Sequence, residues 1–108
     1  MGLTIDEFKN MDLRVGTVLT AEPVPETDKL LRLEVDLGED RPRQILSGIV
    51  EFLKPTEIVG RQFVFVANLE PRVIRGLISS GMLLATGEGH EFTLISPGKP
   101  VPPGSRLR

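Results

Sequence analysis

The chain has 108 residues, of which 40% are hydrophobic and 26% charged, and its net charge is -2. That length allows one modest core, and residues 1–108 read as a single domain. The absence of cysteine excludes disulfides, thiolate catalysis and zinc–thiolate sites, and suits a reducing cytoplasm.

No stretch approaches the roughly 18 apolar residues of a membrane span, and no signal peptide opens the chain. The single histidine, His90, falls in the turn-like Gly87-Glu88-Gly89-His90, where a solvated side chain is expected rather than a ligand or a base. The slight negative charge speaks against bulk basic binding to nucleic acid. Such a function would need positive charge gathered on one face.

Taken in order, the chain opens with a helix start. Thr4 followed by Glu7 is a capping-box pattern, and Leu3 with Phe8 has the spacing of a hydrophobic staple. This helix spans only a turn or two, and Ile5, Phe8 and Met11 need a surface to pack on. A first strand over 13–21 follows, with Gly16 suggesting a bend or bulge. Pro23 to Asp28 forms a loop. Residues 31–37 alternate apolar and charged side chains, the period of a strand with one wet face. After a turn at Gly38 to Pro42, a third strand covers 43–49. Residues 54–60 read as a short helix, with Pro55 at its first turn and Gly60 past its end.

The stretch Phe63 to Ala85 carries the densest signal. An apolar run, Phe63 to Ala67, sits in a fourth strand over 61–69. A second run, Leu83 to Ala85, closes a fifth over 77–86. Such runs suit strands buried on both faces. Between them lie Asn68, Pro71, Arg72, Arg75, Gly76, Ser79 and Ser80. A short further strand covers 92–95, and the proline-rich tail from Pro97 must be extended. Five principal strands with a helix between the third and fourth suit an all-β, five-stranded Greek-key barrel of the OB type.

The inventory for catalysis is poor. One turn histidine supports no nucleophilic triad. Glu34 and Asp36 share a strand face, where a solvated face is expected rather than a metal site. No catalytic residue, metal ligand or cofactor is expected. The inventory for binding is better. An OB barrel holds oligonucleotides on its exposed sheet face and flanking loops. Candidate cations are Arg14, Lys29, Arg32, Arg43, Arg72 and Arg75. There is no Trp or Tyr, and Phe63 and Phe65 share a strand parity that reads as core. Single-strand binders stack bases on aromatic side chains. The composition therefore points to a folded RNA read by shape, phosphate and hydroxyl contacts.

Several segments, in order, resemble the tRNA-binding domain family. They are Asp12-Leu13-Arg14-Val15-Gly16, Asp28-Lys29-Leu30-Leu31-Arg32-Leu33, Ser47-Gly48-Ile49, Val66-Ala67-Asn68-Leu69 with Pro71-Arg72, Ile74-Arg75-Gly76, and Ser79-Ser80-Gly81-Met82. The resemblance runs from Thr4 to the tail. The family includes the C-terminal domain of methionyl-tRNA synthetase, free-standing tRNA-binding proteins and CsaA-type chaperones that bind exported polypeptides. This chain is most similar to the synthetase domain.

The resemblance implies a non-catalytic, structure-specific tRNA-binding module. It implies a homodimer built through the terminal segments, acting in the cytoplasm with a methionyl-tRNA synthetase in cis or in trans. It places Lys29, Arg32, Asn68, Arg72, Arg75, Ser79 and Met82 at motif positions near the RNA face. Lys29, Arg72 and Arg75 would meet phosphates, Ser79 a phosphate or ribose, and Asn68 would hold its loop. CsaA-type chains tend to lack the Gly-Met that this chain keeps as Gly81-Met82, which favours the synthetase-like branch. Ser80 departs from the acidic or amide residue common in relatives.

Overall fold

A computed structural model describes residues 1–108. It contains helices α1 (Ile5–Lys9) and α2 (Pro55–Ile58). Its strands are β1 (Leu13–Pro23), β2 (Leu31–Asp36), β3 (Arg43–Ser47), β4 (Gln62–Val66), β5 (Arg72–Ile74), β6 (Leu77–Ser79), β7 (Met82–Leu83), β8 (Ala85–Thr86) and β9 (Thr93–Leu94). The main sheet runs in the order β3-β2-β1-β4-β7.

Strand β1 is long enough to serve two neighbours. Its first half, Leu13 to Thr17, pairs with β4, and its second half, Thr17 to Pro23, pairs with β2. The sheet curls until its edges nearly meet. There the Ser80 N–H donates to the Gln44 carbonyl at 2.9 Å, and the Gln44 side chain donates to the Ile78 carbonyl at 2.9 Å. The result is the expected OB-type barrel.

Inward side chains fill it. On β2 the alternation works as read: Leu31, Leu33 and Val35 are fully buried, while Arg32, Glu34 and Asp36 face out. Phe63 and Phe65 are core, together with Ile45, Ile58 and Leu83. Each such side chain contributes roughly 1.5–3 kcal/mol of transfer free energy. Helix α2 begins with proline at its first turn and buries Ile58 under the barrel. In α1 the capping box forms: Thr4 and Glu7 exchange backbone-to-side-chain bonds of 3.0 and 3.1 Å. The Thr4 N–H thereby holds the Glu7 carboxyl below the usual range.

The structure corrects several local readings, among them the ends of β3 and β4, which stop at Ser47 and Val66 rather than at 49 and 69. Strand β1 continues to Pro23, two residues past the expected end. Its register shift falls between Val18 and Thr20, not at Gly16. Gly16 serves packing instead, since a Cβ there would lie 2.6 Å from Val35 and 2.9 Å from Phe65. The expected fifth strand is broken into β6, β7 and β8, so of its apolar run only Leu83 is buried. Residues 72–74, read as a connection, form β5.

The tail completes the free side of β1. Val15 donates to Ser105 at 2.8 Å, and Gly104 and Leu107 donate to Val15 and Leu13 at 2.7 and 2.9 Å. The mouth of the barrel here is tied by charge. Arg14 makes a forked pair with Asp12 (2.9 and 2.7 Å), Arg43 does the same with Glu39 (2.8 and 2.7 Å), and Arg106 reaches Asp12 at 3.2 Å.

These bonds lower the carboxyls of Asp12 and Glu39, each chiefly through the hydrogen bond from its arginine. A lowered folded value means that the stabilisation is complete above the ordinary carboxylate range, near 4. It is lost as pH falls through the lowered values. Thermal unfolding of the native chain should therefore soften below about pH 4. A variant with Asp12→Asn and Glu39→Gln should show a flatter profile there, and an unchanged acid slope would contradict this assignment.

Candidate nucleic-acid interface

Strands β5 and β6 form a hairpin outside the main sheet, pairing Arg72 with Ser79, Val73 with Ile78 and Ile74 with Leu77. Its two-residue turn is Arg75-Gly76, with φ of 53° and 79°. Positive φ at both central positions is the mark of a type I′ turn, which matches the strand twist. Glycine takes this backbone freely, whereas Arg75 is held in it by the hairpin.

One face of the hairpin is anchored. Ser79 is buried, and its hydroxyl accepts from the Leu46 N–H at 3.0 Å and donates to the Gly81 carbonyl at 3.3 Å. The other face is open: Val73 and Ile78 are 73% and 54% exposed.

The hairpin brings the expected residues into two groups. Arg72, Ser79 and Met82 line a groove of about 490 Å³ with Leu46, Leu69 and Glu70. Arg75 faces Lys29 and Asp28 across a second cleft of about 260 Å³. Arg72 and Arg75 have no carboxylate partner. Lys29 lies 3.9 Å from Glu51, at an exposed pair.

Arg32 and Asn68 stand apart from both groups. Arg32 is on the outer face of β2, paired with Glu22, its register partner on β1. Asn68 accepts from the Asp12 N–H at 3.0 Å and donates to the Asn10 carbonyl at 2.7 Å, so it ties the β4 exit to the N-terminal segment. Arg14 and Arg43, also candidate cations, are engaged in the charge network at the barrel mouth. Leu69, Val73 and Ile78 were not singled out from sequence. Gly76 was the one local sign of the turn that pairs Val73 with Ile78, and it does not say which face is outward.

A curled five-stranded barrel that presents unpaired arginines on a hairpin hydrogen-bonded to β3 defines an OB-type nucleic-acid-binding module. Comparison with known proteins makes this specific. The tRNA binding domain model matches residues 13–106, and the chain belongs to that family. It is 54% identical over 106 residues to the methionine–tRNA ligase of Methanothrix thermoacetophila, covering 98% of this chain and 16% of that protein. The Bacteroides fragilis ligase is 43% identical over 107 residues, with the same coverage. The chain thus spans about a sixth of the length of these curated relatives.

Among solved structures, a MetRS-related protein from Pyrococcus horikoshii superposes with a TM-score of 0.88 at 38% identity, covering all of both chains. The chaperone CsaA of Bacillus anthracis superposes at 0.86 and 29%, also over both whole chains.

Proposed function

We propose that this chain binds folded tRNA by its shape, through the β5–β6 hairpin, and serves a methionyl-tRNA synthetase in cis or in trans. The carrying observation is that Arg72 and Arg75, alone among the expected cations, are free of acidic partners and are held on a hairpin pinned to the barrel. Arginine suits phosphate because its planar fork donates two bonds at once. Lys29 adds a third charge beside Arg75. Met82 and Leu69 offer apolar contact to ribose or base beside Arg72. Ser79 supports this surface from beneath, since its hydroxyl is already engaged. The site of action in this reading is the cytoplasm, where tRNA is aminoacylated.

The test is titration with unfractionated folded tRNA at two salt concentrations, with single-stranded RNA and an unfolded polypeptide as competitors. Salt-sensitive binding that resists both competitors supports the reading. The exposed Val73 and Ile78, with the likeness to CsaA, favour a second reading in which the open face of the hairpin holds an unfolded polypeptide. Binding of the polypeptide in place of tRNA would establish it.

The module acts, in this proposal, as a homodimer. Ile5, Phe8, Met11 and Leu107 line an apolar groove of about 340 Å³ between α1 and the tail. Ile5 is 66% exposed, and α1 buries none of its own residues. A second copy covering this groove would bury them, and two hairpins on one RNA would raise avidity through effective concentration. Deleting residues 1–10 should leave a folded monomer by light scattering with static circular dichroism. A truncated chain that remains dimeric would refute this interface.

No helix is long and apolar enough to cross a membrane.

A further inference from the structure

A second group of donors lies away from the hairpin, where the start of β4 faces the tail. Thr17, Arg61, Gln62, Ser96, Gly98 and Lys99 line, beside two prolines, a cleft of about 470 Å³ that has no acidic lining residue. Its wall is fixed by Gln62. This side chain accepts from the Val101 N–H at 3.0 Å and donates to the Val101 carbonyl at 2.7 Å. It also donates to the Thr17 hydroxyl at 3.1 Å, which leaves the hydroxyl proton free to point elsewhere.

Arg61 is preset. Its guanidinium donates to the Glu57 carbonyl at 3.2 Å and lies 5.7 Å over the Phe63 ring. The Glu57 carboxylate is turned away, accepting from the Lys54 N–H at 2.9 Å. Neither Arg61 nor Lys99 has a carboxylate partner. The Gly98 and Lys99 N–H groups find no acceptor within the chain.

We propose that this cleft is a phosphate-binding site. Two cations without carboxylate partners, main-chain N–H groups without an acceptor and a hydroxyl with its proton free line it, and each is a donor. A cleft lined by these donors and by no carboxylate favours an oxyanion, and phosphate with its several acceptor oxygens matches it. The phosphate can come from the backbone of a bound RNA or from a free phosphorylated molecule. The first source rests on the tRNA reading above, and the second does not.

The experiment uses the full chain, isotopically labelled, with amide and arginine side-chain resonances followed by NMR. Inorganic phosphate is titrated against chloride at matched ionic strength, and folded tRNA is titrated separately. The Gly98 and Lys99 amides and the Arg61 side chain should move saturably with phosphate. In Arg61→Gln with Lys99→Gln those shifts should vanish, while the resonances of Arg75 and Gly76 stay in place.

Movement of the same cleft signals by tRNA assigns the phosphate to the RNA backbone. The double variant should then lower the salt slope of tRNA affinity by roughly 1 per lost contact. Movement by phosphate with none by tRNA assigns a free phosphorylated ligand. No saturable movement with either probe overturns the site. The hairpin signals report separately: if tRNA leaves Arg75 and Gly76 unmoved, the tRNA reading fails while the phosphate arm still stands or falls by itself.

Discussion

Replacing Arg72 and Arg75 together with alanine should weaken tRNA binding by roughly 10- to 100-fold, with the fold intact. Each arginine removed takes away a charge-assisted hydrogen bond worth about 1.5–3 kcal/mol. The two lie on one short hairpin, so their losses need not add. The salt dependence distinguishes this from loss of shape. Each phosphate contact contributes about one unit to the slope of log affinity against log salt, so the double variant should be flatter by roughly 2. Neither side chain makes an intramolecular ion pair, and Arg72 is exposed. The unfolding midpoint should therefore stay close to that of the parent chain. Filter binding or fluorescence anisotropy at several salt concentrations is the measurement. An unchanged affinity and slope would place the RNA elsewhere on the barrel.

Arg43→Ala should have the largest effect on stability. Arg43 donates to the Ala67 carbonyl at the end of β4 and to the Ser80 carbonyl at 3.2 Å, while its other nitrogens hold Glu39. One side chain thus joins β3, the β4 exit and the turn before β7. Truncation would leave two carbonyls short of a donor and a carboxylate without its partner, at a cost of about 2–4 kcal/mol. For a chain of this size that is a fall in melting temperature of roughly 10–20 °C. Arg43→Lys keeps the charge but loses the fork, and should fall between. Calorimetry decides the matter, and a shift of less than about 2 °C in Arg43→Ala would remove it as the tie across the barrel.

The contrast between these arginines shows what a sequence can carry. Burial periodicity was legible: the alternation on β2 and the apolar run of β4 specify the core directly, because a strand exposes its parity in its residue order. The helix caps were legible for the same reason, being contacts across three or four positions. Arg43 and Arg72 look alike in the chain, yet one is tied across 37 residues to Ser80 and the other is unpaired. That difference depends on long-range geometry. So does the engagement of the Ser79 hydroxyl by Leu46, 33 residues away. The β5–β6 hairpin was hidden for a local reason. Its turn is Arg75-Gly76 rather than the asparagine- or aspartate-glycine pair that usually announces a type I′ turn. The uninterrupted look of residues 77–86 concealed the bend at Ser80-Gly81.

The seam between β3 and the segment 78–80 also bears on how the chain folds. The contacts that close it join residues 33 to 37 positions apart, whereas β1, β2 and β3 are successive neighbours. Closing a long loop costs entropy before its contacts repay it. The meander of β1 to β3 can therefore organise early, and the β1–β4 pairing, 45 to 53 positions apart, and the seam close later. Because the hairpin hangs on that seam, recognition through it, as proposed above, is reserved for the finished barrel. A nascent or partly opened chain would carry the same arginines without the frame that aims them.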